Sequence, residues 1–221
     1  MPDIHRAVRY IRHNAKTYKI DPERLAIGGA SAGGHLAALI GVSAGKGPTF
    51  PKPDIPGDGR LDPIERESSK VAAFVDFCGP TDLVNCEADG KSIVEFRLPE
   101  EVRKRANVEH YTAPFEFRDY DIKALGYVPV TDAGQIQRRL RELSPVSLVT
   151  EKSSPGLIVH GDKDVNVPAR QARLLAARLR AAGVAVELII REGVDHRVIL
   201  ADDRKLVANW LDKRLDVEKP K

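Results

Sequence analysis

The fold is decided by a stretch that reads Leu25-Ala26-Ile27-Gly28-Gly29-Ala30-Ser31-Ala32-Gly33-Gly34-His35. An apolar strand enters a Gly-x-Ser-x-Gly turn, and an apolar helix follows at once. This context favours a serine held on a sharp turn at the end of a sheet, although the five letters alone also fit a glycine-rich turn or a phosphate-binding loop. We expect Ser31 to adopt a strained backbone conformation. We expect glycine at positions 29 and 33 because a side chain at either would collide with the neighbouring strand or helix.

Two later loops carry the partners that a reactive serine needs. A serine hydroxyl is a poor nucleophile unless a base takes its proton and a third group orients that base. Asp162 and Asp164 follow the apolar stretch 156–161, and His196 follows the next predicted strand. The chain order, with acid and base after successive strands, favours Ser31 as nucleophile, Asp164 as acid and His196 as base. Asp162 competes as the acid, but it is placed to close the turn, whereas Asp164 lies further into the loop.

The backbone amide of Ala32 stands at the start of the helix that follows the serine. A helix N-terminus carries unpaired N–H groups and a partial positive charge, so this amide is predicted to stabilise a developing oxyanion. No cluster of histidine, cysteine and aspartate has the spacing of metal ligands, so we expect neither a metal nor another cofactor.

The remaining histidines and the cysteines are interpreted as structural. His160 lies inside an apolar strand, and His35 lies on the helix behind the serine, where it packs or hydrogen-bonds. Cys78 falls in a predicted buried strand, where the role of a small inert hydrophobe is favoured over a redox role. Two cysteines, at 78 and 86, indicate no disulfide framework. Three more histidines are interpreted as surface or cap residues: His5, His13 and His110.

Alternating apolar strands and helices predict an α/β fold with a mostly parallel sheet flanked by helices. The length favours one domain, residues 1–221. An insertion at about 84–140 holds most of the aromatic residues and is predicted to form a cap over the strand ends, where ligands bind; a small satellite core is the alternative. The predicted segments are helix 3–18, strand 25–28, a helix through residue 40, a surface loop at 46–69, strands 71–78 and 156–161, helix 169–182, strand 184–190 and helix 203–215.

Composition and charge exclude several kinds of partner. Of the 221 residues, 42% are hydrophobic and 30% charged, and the net charge of +3 is too small to predict binding to nucleic acid or to an anionic membrane. No apolar run approaches the roughly 20 residues that span a bilayer. The first residues lack the apolar core of a signal peptide, so they do not direct export, and a cytoplasmic location is the default expectation.

At these motifs the chain resembles the serine esterases of the α/β-hydrolase superfamily, specifically the acetylxylan/feruloyl-esterase-like and hormone-sensitive-lipase-like branches. The resemblance covers nearly the whole chain outside the cap. It implies an α/β-hydrolase fold, and it implies that the second aspartate of the His-Gly-Asp-x-Asp segment, Asp164, is the acid. The matching motifs, in the family's order, are the serine turn 29–37, Gly79-Pro80-Thr81-Asp82-Leu83, Ser144-Pro145, and His160-Gly161-Asp162-Lys163-Asp164 with Val167-Pro168.

The chain departs from the family pattern at two places. Charged Asp195 and Arg197 flank His196, where the family usually has small residues, and this added charge can alter the pKa of the base. The family also places several strands and a His-Gly-Gly loop, the source of a second oxyanion amide, before the first helix seen here. The resemblance therefore implies an N-terminally shortened sheet in which the strand at Leu25 is an exposed edge. It also implies a single oxyanion donor and a weaker enzyme, or an edge that pairs with another chain.

The expected function is hydrolysis of short acyl esters through a serine acyl-enzyme; acetyl or feruloyl groups on sugars are implied by the resemblance alone. The expected partners are a small-molecule ester and a second copy of the chain bound at the exposed sheet edge. Two alternatives remain open: a non-catalytic or weakly active hydrolase fragment that assembles through that edge, and a peptidase of the prolyl-oligopeptidase type. Ala32 speaks against the peptidase, since those enzymes usually carry an aromatic residue at that position.

Overall fold

A four-stranded parallel sheet forms the centre of the structure. The computed structural model describes residues 2–43, 62–86, 90–95, 100, 104, 115–196 and 202–215. The helices and strands are α1 (Pro2–His13), α2 (Ala15–Tyr18), β1 (Ala26–Ala30), α3 (Ala32–Val42), β2 (Ala73–Phe77), β3 (Arg118–Asp121), β4 (Gly126–Pro129), α4 (Ala133–Glu142), α5 (Pro145–Leu148), β5 (Gly156–Gly161), α6 (Arg170–Ala181), β6 (Val186–Arg191) and α7 (Asp203–Arg214). The predicted strand at 156–161 matches β5, and the other three predicted sheet strands differ from the structure by one or two residues at each end.

The strand order in the sheet is β1-β2-β5-β6, and each neighbouring pair is parallel. All five residues of β2 are buried, as expected for a nearly continuous apolar strand that is covered on both faces. Among the described residues no strand pairs with the outer side of β1, so β1 is an edge of this sheet. Because all four strands run the same way, their carboxyl ends meet along one side of the sheet.

Helices cover both faces of the sheet. On one face α3 and α6 pack through Ala38 and Leu175 against Phe74 and Ile158. On the other face Trp210 of α7 packs against the alternate side chains of β2 and β5. None of the helices in the described part of the chain is long and apolar enough to cross a membrane.

The predicted helix at 3–18 is divided into α1 and α2, and Lys19 ends α2 in a left-handed conformation with φ of 56°. His5 was interpreted as a surface or cap residue, and the structure corrects this interpretation. Its side chain is buried, and its Nδ1 lies 2.8 Å from Ser69 Oγ. His5 shares the inner face of α1 with Val8, three residues later, and a neutral imidazole can be buried there because one ring nitrogen is paired. Burial lowers the pKa of His5 to about 4.

The loop predicted at 46–69 falls within the described residues only from position 62, where Pro63–Arg66 form a short 3-10 turn. Basic residues of α1 hold this turn: Arg6 Nη1 donates to Glu65 Oε1 at 2.6 Å, and Arg9 Nη1 donates to Glu65 Oε2 at 2.9 Å. These contacts join α1 to the segment that enters β2.

The described part of the insertion at 84–140 contains the antiparallel hairpin β3–β4 followed by α4. Phe117 packs on a cluster that includes Leu39 of α3 and Leu140 of α4, so the satellite-core interpretation holds for this aromatic residue. Tyr120 and Tyr127 stack edge to face and are exposed. Phe96, Tyr111 and His110 lie outside the described residues. The role of the insertion as a cap remains a prediction.

Candidate active site

Ser31 occupies a tight turn between β1 and α3. Its backbone has φ of 54° and ψ of −120°, a conformation that is unfavourable for a residue with a side chain and that confirms the expected strain. The turn is held from both sides, since the Ser31 N–H donates to the carbonyl of Phe77 at 2.7 Å and the Ser31 carbonyl accepts from the His35 N–H at 3.0 Å. The surrounding backbone thus compensates for the strain at the serine.

The glycines around the turn differ from the expectation at one position. A β-carbon on Gly29 would overlap the carbonyl group of Gly33, so glycine is required there, as predicted. A β-carbon on Gly33 would meet nothing within 4 Å, which corrects the predicted collision. The second position with no room is Gly34, where a β-carbon would overlap Asp76 Oδ1 and the Phe77 carbonyl. Gly34 therefore lets the first turn of α3 approach the end of β2.

The structure brings Ser31, His196 and Asp164 into one chain of hydrogen-bond contacts, although they are far apart in sequence. His196 Nε2 lies 2.9 Å from Ser31 Oγ, and His196 Nδ1 lies 2.7 Å from Asp164 Oδ2. A carboxylate oxygen only accepts, so Nδ1 carries the ring hydrogen of neutral His196. Nε2 is then free to accept the hydrogen of the Ser31 hydroxyl.

The loop at 162–168 after β5, here called the acid loop, gives its two aspartates different roles. Asp164 Oδ1 accepts from the backbone N–H groups of Asn166 and Val167 at 2.9 and 2.8 Å, which leaves Oδ2 to face His196. Asp162 Oδ1 instead accepts from the Gly193 N–H at 2.7 Å. This hydrogen bond joins the acid loop to the loop at 192–196 after β6, here called the histidine loop. Asp162 thus closes the turn, and Asp164 is the aspartate that contacts the histidine.

Gly161 at the end of β5 lets the histidine loop lie directly against the acid loop. A β-carbon at this position would overlap the Val194 carbonyl. Two backbone hydrogen bonds join the loops, one from the Asp162 N–H to the Arg191 carbonyl at 3.0 Å and one from the Lys163 N–H to the Val194 carbonyl at 2.9 Å. Arg197 and the residues after it, up to 201, lie outside the described residues.

The charges around His196 make its ring a stronger base than a free imidazole. The contact with Asp164 raises the pKa of His196 above its ordinary value, and the neighbouring Cys78 thiol raises it further. Partial burial of the ring lowers this pKa, but by less. Burial alone would raise the pKa of Asp164, but hydrogen bonds from His160, His196 and the backbone outweigh it and leave that pKa below its usual range. The acid is therefore ionised at neutral pH and stabilises a protonated His196.

Ala32 is the first residue of α3 and is exposed at the mouth of the turn. Its backbone N–H belongs to the first helical turn, where N–H groups have no partner within the helix. It therefore stands beside Ser31 at the positive end of α3, in agreement with the position expected for an oxyanion donor.

Cys78 lies closer to the site than the sequence indicated. It follows the last residue of β2 with φ of 45°, and its thiol, a carboxylate oxygen of Asp164 and a ring nitrogen of His196 all lie within 4.8 Å of one another. Within the described ranges this is the one group of such donors close enough to hold a metal ion. Asp164 and His196 already bond to each other, so the cluster is explained without a metal. The signal in the sequence was the position of Cys78 directly after a strand.

Two of the motifs that carried the family resemblance contact each other behind the site. The Leu83 N–H donates to Ser144 Oγ at 2.9 Å. Gln171, which sequence reasoning missed, is buried and accepts from the Thr81 and Asp82 N–H groups at 2.8 and 2.6 Å. A glutamine on an otherwise amphipathic helix gave no signal of this role, because its partners lie ninety residues away in sequence.

His35 and His160 both have the buried positions that were expected. His35 Nδ1 lies 2.8 Å from the carbonyl of Pro80, and burial lowers the pKa of this histidine. His160 lies within β5, and its Nε2 lies 2.8 Å from the Val167 carbonyl. His13, by contrast, is exposed at the end of α1.

Esterases are among the known proteins that this chain resembles. The family model described as BD-FAE matches residues 1–179. Esterase LipQ of Mycobacterium tuberculosis is 30% identical over 184 residues, which make up 83% of this chain and 34% of LipQ. The chain spans about a third of the length of LipQ and of two further curated relatives from the same organism.

Two solved structures share the fold. One is a truncated form of a carbohydrate esterase from gut microbiota, with a TM-score of 0.66 and 25% identity over 97% of this chain and 67% of that one. The other is an acetyl ester-xyloside bifunctional hydrolase from Caldicellulosiruptor lactoaceticus, with a TM-score of 0.60 and 27% identity over 97% of this chain and 62% of that one. The predicted α/β-hydrolase fold is confirmed.

Proposed function

This chain belongs to the BD-FAE family, and from that premise we propose that it hydrolyses carboxylic esters through a covalent acyl-enzyme. The observation that carries the proposal is the unbroken line of contacts from Ser31 Oγ through His196 to Asp164 Oδ2. Esterases similar to this chain support the reaction class.

In the proposed reaction Ser31 Oγ attacks the ester carbonyl carbon while His196 Nε2 takes the hydroxyl proton. Asp164 holds the ring and stabilises its positive charge. The tetrahedral intermediate collapses, the bond from the carbonyl carbon to the alcohol oxygen breaks, and His196 returns its proton to the departing alcohol. A water molecule, deprotonated by His196, then attacks the acyl group on Ser31 and releases the carboxylic acid.

The Ala32 N–H is proposed to donate to the oxyanion of the tetrahedral intermediate. It has the position for this because it directly follows the nucleophile at the N-terminus of α3. In enzymes of this type the loss of one oxyanion donor costs on the order of 10²–10³ in rate.

The proposed substrates are short acyl esters, with acetyl or feruloyl groups on sugars as the class to test first. The names of two similar structures support this choice, since one is a carbohydrate esterase and the other acts on acetyl esters and xylosides. The rates of hydrolysis should be compared over a series of p-nitrophenyl esters from acetate to octanoate, together with methyl ferulate and acetylated xylo-oligosaccharides. The comparison would show which acyl length and which alcohol part the site prefers.

The first test is hydrolysis of p-nitrophenyl acetate and butyrate by the wild-type chain and by Ser31→Ala. Loss of the nucleophile should lower turnover by about 10³-fold or more. Ser68→Ala is the matched control, because Ser68 is exposed and precedes β2, at the opposite end of the sheet from Ser31. A fluorophosphonate probe should label the wild type and Ser68→Ala and should not label Ser31→Ala.

The outcome also separates the enzyme from the non-catalytic alternative. Turnover that does not differ between wild type and Ser31→Ala, with no labelling of Ser31, would contradict ester hydrolysis and favour the fragment. Labelling without measurable turnover would show an activated serine in a site that does not complete the reaction, and this would also count against the proposed function.

A further inference from the structure

Behind the acid of the site lie two further ionisable side chains that are buried and that the proposed reaction does not use. Asp76 in β2 is 0% exposed, and His160 in β5 is 2% exposed. In the parallel register Asp76 lies beside Ile158, two residues before His160, so the two side chains project from the same face of the sheet. Both therefore lie on the face that α3 covers.

The His160 ring directs one nitrogen at the acid loop. Its Nε2 lies 2.8 Å from the Val167 carbonyl oxygen and 3.2 Å from Asp164 Oδ2. Both oxygens only accept, so Nε2 carries a hydrogen. Asp164 Oδ2 is also the oxygen that accepts from His196 Nδ1. The His160 Nε2–H thus lies against the oxygen that orients the base, with its shorter contact to the Val167 carbonyl.

The other nitrogen of His160 and one carboxyl oxygen of Asp76 are buried polar atoms that have no hydrogen-bond partner in the described part of the chain. Among the described residues neither His160 Nδ1 nor Asp76 Oδ2 has a hydrogen-bond partner, although Asp76 Oδ1 accepts from the Gly79 N–H at 2.9 Å. Burial raises the pKa of Asp76 to about 6. If positions 76 and 160 served only to fill the core, apolar side chains would occupy them at a lower free-energy cost of burial.

We propose that His160 is a positioning residue of the site: its Nε2–H holds the Asp164 carboxylate and reduces the negative charge that Asp164 presents to His196. The inference rests on the proposed function, because it states how the acid of that reaction is held. Two donors direct one carboxylate oxygen more firmly than a single donor does. Without His160, Asp164 would attract the proton of His196 more strongly.

The test compares His160→Leu, which removes the donor, with His160→Gln, whose side-chain N–H reaches the place of Nε2. His13→Gln is the matched control, because His13 is an exposed histidine of α1. The measurements are kcat and KM for p-nitrophenyl acetate, the thermal midpoint of unfolding, and the pKa of His196 from an NMR titration of its ring signals, assigned with a His196→Gln sample. The Cys78 thiol, which also raises the pKa of His196, and the adjoining Asp195 and Arg197 are the same in all variants.

We expect His160→Leu to raise the pKa of His196 by about one unit and to lower kcat about tenfold with KM nearly unchanged. His160→Gln should keep the wild-type pKa and most of kcat. If His160→Leu does not fold, His160→Asn replaces it, because its shorter amide does not reach Asp164, and the same shift is expected.

Two results together would overturn the inference. The pKa of His196 would be unchanged in the variant without a donor, and the Leu and Gln variants would lose equal thermal stability. His160 would then be a structural residue. The NMR titration does not depend on turnover. A wild-type chain without serine-dependent turnover would therefore contradict the proposed function, whereas an unchanged His196 pKa would contradict this inference alone.

Discussion

Two aspartates in one loop have different surroundings because they fall at different distances from the end of β5. Asp162 is the first residue after the strand, and its carboxylate reaches the backbone of the histidine loop at Gly193. Asp164, two residues on, turns inward, and its side chain is fully buried against His196 and His160. The shape of the turn therefore gives one carboxylate a structural contact and the other a contact with the base.

This difference predicts unequal effects of the same substitution. Asp164→Asn should lower kcat by roughly 10⁴-fold, because an amide nitrogen facing His196 favours the ring tautomer with its hydrogen on Nε2, which cannot accept from Ser31. Asp162→Asn should change kcat by less than about threefold, because its amide oxygen still accepts from the Gly193 N–H. Steady-state kinetics on both variants, with circular dichroism as a check of folding, measure the contrast. Equal losses would mean that the acid of the reaction is assigned to the wrong residue.

At the scale of the element, the unit β1–turn–α3 depends on how closely its two ends approach each other. The helix begins directly after the serine, so the backbone of residue 33 passes over residue 29. Gly34 lets α3 approach β2 in the same way. The close approaches place Ser31 and the first N–H groups of α3 at the carboxyl end of the sheet.

Alanine substitutions at the two glycines of the Gly-x-Ser-x-Gly turn should separate the tight position from the open one. Gly29→Ala should destabilise the fold by about 1–3 kcal/mol or more and abolish turnover, because its β-carbon would overlap the backbone of Gly33. Gly33→Ala should leave the thermal midpoint close to wild type, because its β-carbon has open space. Thermal unfolding followed by circular dichroism tests both. A larger loss at Gly33 than at Gly29 would show that the turn packs differently.

At the scale of the whole molecule, β1 is an open edge of the sheet within the part of the chain that the structure describes. Beside β1, between the sheet and α7, lies an apolar groove of about 490 Å³. Its lining includes Ala26 and Gly28 of β1 and Val207 and Leu211 of α7. An unpaired strand edge beside an apolar groove favours pairing with another strand. A second copy of the chain offers the same edge, and a two-fold axis would pair β1 with β1 in antiparallel orientation.

We therefore predict that the chain forms a dimer through β1, as the sequence led us to expect. Ala26→Lys places a charge on the exposed edge strand and should shift the population toward monomer. Leu125→Lys is the control, since Leu125 is an exposed apolar residue in the turn between β3 and β4. Sedimentation velocity over a range of protein concentrations measures the distribution. A wild-type chain that stays monomeric at all concentrations, or an Ala26→Lys variant that dimerises like wild type, would contradict pairing through this edge.

The sequence by itself determined the parallel sheet, the serine turn and the two later loops, because each depends on local features. Continuous apolar runs predict buried strands, and glycine between a strand and a helix predicts a tight turn. The chain order of Ser31, Asp164 and His196 was sufficient to predict that they meet, because parallel strands present their carboxyl ends at one side of a sheet. The sequence also indicated which of the two aspartates closes the turn.

Only the tertiary structure decided which groups surround those residues. Cys78 contacts the site because β2 lies beside β5, and His160 contacts Asp164 because the acid loop folds back over the end of its own strand. The burial of His5 and the tight position at Gly34 likewise depend on segments that are distant in sequence. Such contacts arise from strand order, register and the packing of helices on the sheet, and no local pattern of residues encodes these distances.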